Sequence, residues 1–194
     1  LYADTDIDLA WAAKGSRPQR IGFDFTRNFG SQLEVHGEWA RALDAPRREI
    51  GAGGAVTTRR VHADSWLLGA RYLSRNDVTW IAEIYRNGSG YDDAQLAAFY
   101  ELLETAFGPA GTPALQAQAR ALAASGYARS QPGRHYVYLR ASAKDPFGWL
   151  YLTPAFTVIA NLDDRSWQLT PEIVYTGWQN VEFRARAILL RGGE

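Results

Sequence analysis

Val181-Glu182-Phe183-Arg184-Ala185-Arg186-Ala187-Ile188-Leu189 alternates with a period of two. Every odd position is apolar, and Glu182, Arg184 and Arg186 lie between them. Successive side chains of a strand point to opposite faces. One face of this stretch is therefore wholly apolar, and the other carries three charges. The pattern returns about nine times along the chain, with aromatics near the ends of the runs. A face that is apolar along its whole length needs an apolar neighbour. A second sheet would make a sandwich. Lipid would make a membrane barrel with a polar lumen.

Bulk properties narrow the field. A length of 194 residues suits one domain. Basic and acidic residues balance at 21 each, which gives no electrostatic case for nucleic acid or an acidic membrane surface. No Cys is present, so disulfides, thiolate metal sites and covalent haem attachment are excluded. No apolar run is long enough for a transmembrane helix, and no signal peptide is visible. The chain contains no Met and starts at Leu1, almost inside a strand. It reads as a processed product or as a piece of a longer protein.

Nine strands are expected, at about residues 4–14, 19–28, 31–42, 61–74, 77–87, 134–143, 149–161, 165–176 and 181–190. The Gly-, Pro- and Arg-rich stretch 44–57 reads as a loop. Residues 88–133 form a helical insert far longer than an ordinary loop. Asp92 and Asp93 can cap a first helix whose apolar positions are Leu96, Phe99, Tyr100, Leu103 and Phe107. Gly108-Pro109 ends it, and Thr112-Pro113 opens an Ala-rich second helix that stops near Gly126. The insert could act as a plug, a lid or a docking surface for a partner protein. Its apolar stripe can also be buried on its own second helix or on the rim of the sheet.

The links after strands two, four, six and eight are short, and the long ones follow strands three and five. Up-and-down outer-membrane barrels keep tight turns on one side and long loops on the other. A Greek-key sandwich has no reason to keep that parity. The strands run to about ten residues or more, the length that crosses a bilayer at a tilt. Trp11, Trp39, Trp66, Trp80 and Trp167 all fall on the apolar face, as interface aromatics do.

On these features the chain resembles the C-terminal part of a proteobacterial outer-membrane β-barrel of the porin or export type. The resemblance rests on strand pattern, girdle aromatics and loop parity across nearly the whole chain. It implies an all-β, up-and-down, antiparallel transmembrane barrel with an even strand number, of which about nine strands are present. Such barrels usually close with a terminal aromatic, and Gly193-Glu194 is not one. A tenth strand, and others before Leu1, would reconcile both departures.

The face opposite the apolar one carries Asp6, Asp8, Asp24, Glu34, His36, Glu38, Arg71, Glu83, Arg140, Glu172, Glu182, Arg184 and Arg186. These are the expected lumen residues. The acids gather in the first three strands, and three of the four arginines lie in the sixth and ninth. Such a distribution either sets a transverse field that selects solutes or simply keeps the lumen wet. His36 between Glu34 and Glu38 could offer a metal two carboxylates and an imidazole. Without a further ligand it reads as an ordinary polar-face histidine, and no closed zinc set occurs. Asn161-Leu162-Asp163-Asp164 has too few ligands for a calcium loop. There is no G-x-S-x-G, and neither Ser65 nor Ser142 pairs with a His, so no catalytic set and no cofactor are expected.

The expected function is an outer-membrane pore that passes polar solutes or exports a substrate, with the insert narrowing its outer mouth. The alternative is a barrel that sheaths or anchors a partner protein. Pro154 and Pro171 sit at matching distances from Leu162-Asp163. A two-residue hairpin there would set them directly opposite each other, with both nitrogens aimed at the outer neighbours.

Overall fold

A computed structural model describes residues 4–15 and 17–192. Leu1 and the terminal Gly193-Glu194 lie outside the described residues. The chain forms one antiparallel meander with two short helices. The strands are β1 (Thr5–Ala12), β2 (Arg20–Phe29), β3 (Leu33–Ile50), β4 (Val56–Leu73) and β5 (Val78–Arg86). They continue with β6 (His135–Ala143), β7 (Leu152–Asn161), β8 (Trp167–Trp178), β9 (Val181–Arg186) and β10 (Leu189–Arg191). Each of the first eight strands pairs with its neighbour in sequence. β9 and β10 both pair with β8. They share one register, Glu172 opposite Arg186 and Leu169 opposite Leu189, so together they fill one position in the sheet.

The sheet is open, so the described residues form an antiparallel meander and do not by themselves close a barrel. Among the described residues β1 and β9 form its two edges and do not pair with each other. In a nine-position meander those edges run in the same direction.

The break between β9 and β10 has a cause in the sequence. Ala187 N donates to Pro171 O at 3.1 Å, and Pro171 has no N–H to return. On the other side, the β6–β7 ladder stops at Ser142 opposite Ala155, one step before Pro154. Both proline nitrogens therefore aim away from the β7–β8 hairpin, as expected. The direct opposition is corrected: Pro154 faces Ile173 and Pro171 faces Phe156, a slip of two residues. The turn holds four residues, 162–165, closed by Asn161 N donating to Ser166 O at 2.9 Å. Asp163 N donates to Asn161 Oδ1, and Ser166 N to Asp164 Oδ1. These side-chain bonds set the turn length.

Asp163 also ties this turn to β6. Its carboxylate accepts from the backbone N–H groups of Arg134 and His135 and lies 2.7 Å from His135 Nδ1. Partial burial pushes the Asp163 carboxyl up, but these donors outweigh it and hold it below the ordinary carboxylate range. A depressed acid adds stability above its unfolded pKa and loses it as pH falls through the folded value. Asp163→Asn should therefore cost about 1–2 kcal/mol at neutral pH. The gap to the parent should close below about pH 4 in chemical denaturation, and a gap that widens there would refute the assignment.

The stretch 44–57 is not the expected loop. β3 and β4 extend beyond β2 as a two-stranded ribbon, with a bulge between Ala42 and Ala45. β2 ends opposite Ala42, so Pro46 sits where one side of β3 has no strand neighbour and its missing donor is tolerated.

The helices α1 (Asp93–Phe107) and α2 (Pro113–Leu122) form the insert. Asp92 caps α1 in a reciprocal box with Gln95, and Thr112 caps α2 with Pro113 at its first position. A π turn over Ala123–Tyr127 follows, with Gly126 at φ 147°. The buried stripe of α1 is Leu96, Phe99, Leu102 and Ala106. Tyr100 and Phe107, expected on that stripe, are exposed.

The buried core lies in the insert: Leu96, Phe99, Leu102, Ala106, Ala119 and Leu122 pack with Tyr91, Tyr127 and Ile50. Tyr91 and Tyr127 stack at 3.6 Å between centroids. By contrast, the apolar face of the sheet has no second layer among the described residues. Ile7, Phe23, Leu68, Ile84, Leu139, Phe156, Ile173 and Phe183 are exposed, and Val35 is half-buried.

Candidate functional site: the polar face of the sheet

Strand pairing fixes which side chains share a face. Asp6 stands opposite Thr26 and Thr26 opposite His36. His36 stands opposite Gly69, which stands opposite Glu83. Asp8, Asp24 and Glu38 form one row, and Glu34 faces Arg71. Arg140 faces Thr157, and Glu172 faces Arg186. Arg184 follows Arg186 by alternation, and Glu182 bonds to Arg184 Nη2 at 2.9 Å. All thirteen residues expected on the polar side thus share one face of the sheet.

The charges are sorted along the sheet. At the β8–β9 end, Glu172 is 9% exposed and takes three arginines: Arg140 at 3.5 Å, Arg184 at 3.7 Å and Arg186 at 3.9 Å. Arg140 Nη1 also donates to Thr157 at 2.9 Å. This end carries a surplus of positive charge. At the β1–β5 end the acids dominate, and Asp24 stands opposite Glu38 with no cation paired to either among the described residues.

His36 lies between two carboxylates, but not the expected two. Its Nδ1 is 3.8 Å from Glu34 and its Nε2 is 3.4 Å from Glu83, two strands away. Gly69 makes this reach possible. A Cβ there would fall 2.3 Å from His36 Nε2 and 2.8 Å from Glu83 Cγ. Glu38 is not part of the group, and no cluster among the described residues could hold a metal. Gly69→Ala should displace the imidazole and cost about 1–3 kcal/mol in thermal or denaturant unfolding. His36→Ala in the same chain should restore most of the loss, and no restoration would refute the steric account.

The apolar face has defined limits. Arg41 and Asp64 form a two-bond pair at 2.7 and 2.8 Å, just beyond Trp39 and Trp66. Arg86 stands opposite Trp66 at the same level. Trp11, Trp39, Trp66 and Trp167 lie toward the insert end of their strands, and Tyr72, Trp80 and Tyr175 toward the other. Tyr72 and Trp80 are cross-strand partners.

The insert stands over the polar face, on the same side as the β3–β4 ribbon. Ile50, at the ribbon's end, is 1% exposed inside the insert core, and its N–H donates to Tyr127 Oη at 3.1 Å. Burial pushes the Tyr127 hydroxyl up to about 12, so this acceptor stays neutral at physiological pH. Arg47 Nη1 donates to Gly90 O at 3.3 Å and Gln118 Nε2 to Gly54 O at 3.1 Å. Arg47 is itself held by Glu49. Between the insert and the polar face runs a cleft of about 760 Å³. Tyr85, Arg129 and Ser125 line it alongside Asp24 and Glu38. The alternation places Tyr85 on the polar face. Arg129 carried no signal in sequence, because only the fold of the insert brings it there.

No protein-family model, curated protein or solved structure matches this chain.

Proposed function

We propose that this chain is part of an outer-membrane β-barrel pore of a bacterium, through which polar solutes diffuse. The observation that carries the reading is the apolar face. It runs across the sheet from β1 to β9 with side chains such as Leu9 (85% exposed), Leu68 (46%) and Phe183 (54%). Burial of apolar area is worth about 25 cal/mol per Å². A water-soluble chain would leave that stabilisation unused on its largest face and invite aggregation. Lipid supplies the missing neighbour, and the aromatics at both ends of the face, with Arg41, Asp64 and Arg86 at the insert end, match the two interfaces. The polar face then lines the lumen, with acidic and arginine-rich sectors facing each other across it. Because β1 and β9 run the same way, an all-antiparallel barrel takes an odd number of further strands between them. That gives the even total such barrels have. The insert and the β3–β4 ribbon would narrow one mouth.

The test is ion conductance of the purified protein in a planar bilayer. Stepwise openings support a pore. Stable insertion without conductance would favour the second reading, a barrel that anchors or sheaths a partner protein. Tyr100 and Phe107, exposed on α1 at 48% and 55%, offer that partner an apolar contact. Failure to partition into detergent or lipid would sink both.

A further inference from the structure

The cleft between the polar face and the insert has a small-residue floor and two unlike walls. Ala10, Gly22 and Ala40 are consecutive cross-strand partners and leave the floor open. One wall carries Asp24 and Glu38, directly opposite each other on β2 and β3. Like charges in that relation destabilise a sheet. Neither acid joins an ion pair among the described residues. The other wall carries Arg129, from the segment after the π turn, and Arg20 lies beyond Gly22 on β2; both are outside every such pair, and Arg47, which also lines the cleft, is held by Glu49. Tyr85 lines the same cleft.

The insert holds Arg129 in place. Its chain is locked through Tyr127 to Ile50, and Gly126 turns it at a φ only glycine adopts readily. A solute of one sign would be drawn to one wall and repelled by the other. A solute carrying an ammonium and a carboxylate satisfies both. The volume of about 760 Å³ lies within the range of small-ligand sites. An extended tripeptide spans about 10 Å.

We infer that this cleft binds small zwitterionic solutes, amino acids or short peptides, with the ammonium toward Asp24 and Glu38 and the carboxylate toward Arg129 and Arg20. The inference rests on the pore reading for naming this face as the one that solutes cross. Its test reads binding, whereas the pore is tested by conductance, so either can fail alone.

Tri-alanine, its N-acetylated form, its C-terminal amide and maltose are titrated calorimetrically into the full chain in detergent micelles. Tri-alanine should bind, and either blocked form should bind at least about tenfold more weakly, as expected for loss of a charge-assisted bond. D24N/E38Q should stop distinguishing tri-alanine from its acetylated form while still rejecting the amide. R20Q/R129Q should do the reverse. Circular dichroism on both variants checks the fold, and Arg20 and Arg129 are exposed, so their substitution leaves packing intact. Absence of tri-alanine binding, equal binding of free and blocked peptides, or tighter binding of maltose would overturn the inference.

Discussion

Leu139→Arg is expected to cost about 2–4 kcal/mol of folding free energy in a lipid bilayer. Leu139 is the fifth of the nine residues of β6, between Ala82 and Val158 on the apolar face, and is 39% exposed. A charge at that depth must either strip its hydration or deform the lipid. Phe183→Arg should cost only about 0–1 kcal/mol, because depth sets the penalty. Phe183 lies opposite Tyr175, close to the β8–β9 turn, where a guanidinium can reach the headgroups. The pair is a depth gauge. Denaturant unfolding in vesicles reads both costs. On a water-facing sheet, both changes would fall within about 0.5 kcal/mol of the parent. Two small and equal costs would therefore remove lipid as the neighbour of this face.

The same alternation that marks Leu139 made the strands and their faces legible in sequence. Phe183, Arg184 and Ala185 need no tertiary context to be placed, because a strand has only two sides. What escaped was set by contacts between distant residues. The ribbon 44–57 looked like a loop because Pro46 and the run of glycines argue against a central strand. It is a strand pair only where β2 has ended and the insert receives its tip. The two-residue slip at Pro154 follows from Asn161 and Asp164 bonding the turn's own backbone, which lengthens it. On α1, spacing admits either Leu103 and Phe107 or Leu102 and Ala106 as the buried row. The packing of α2 and Ile50 selects the second. His36 was read with its sequence neighbours, but Gly69 hands it to Glu83, two strands away. Arg129 had no local pattern at all, since its place in the cleft depends on the folded insert.

Ile50→Ala should cost about 2–5 kcal/mol, the loss expected for truncating a fully buried aliphatic side chain. Ile50 is 1% exposed and is the one member of the buried core cluster that belongs to a strand. It joins the β3–β4 ribbon to α1, α2 and the stacked Tyr91, Phe99 and Tyr127. The loss should be local in its consequences. No residue of β6, β7 or β8 belongs to this core, so the amides of their ladders should keep their protection from hydrogen exchange. Amides of α1, α2 and residues 43–61 should exchange faster. Tyr127→Phe provides the second arm. It leaves the packing nearly intact but strips the buried Ile50 N–H of its acceptor, at a cost of about 1–3 kcal/mol. The two effects meet at one residue, so the double variant should lose less than the two losses added. If Ile50→Ala instead lowers protection evenly across the sheet, the insert is part of the sheet's own stability and not a cap fastened to its rim. Uniform loss would also remove the fixed frame that holds Arg129 over the polar face.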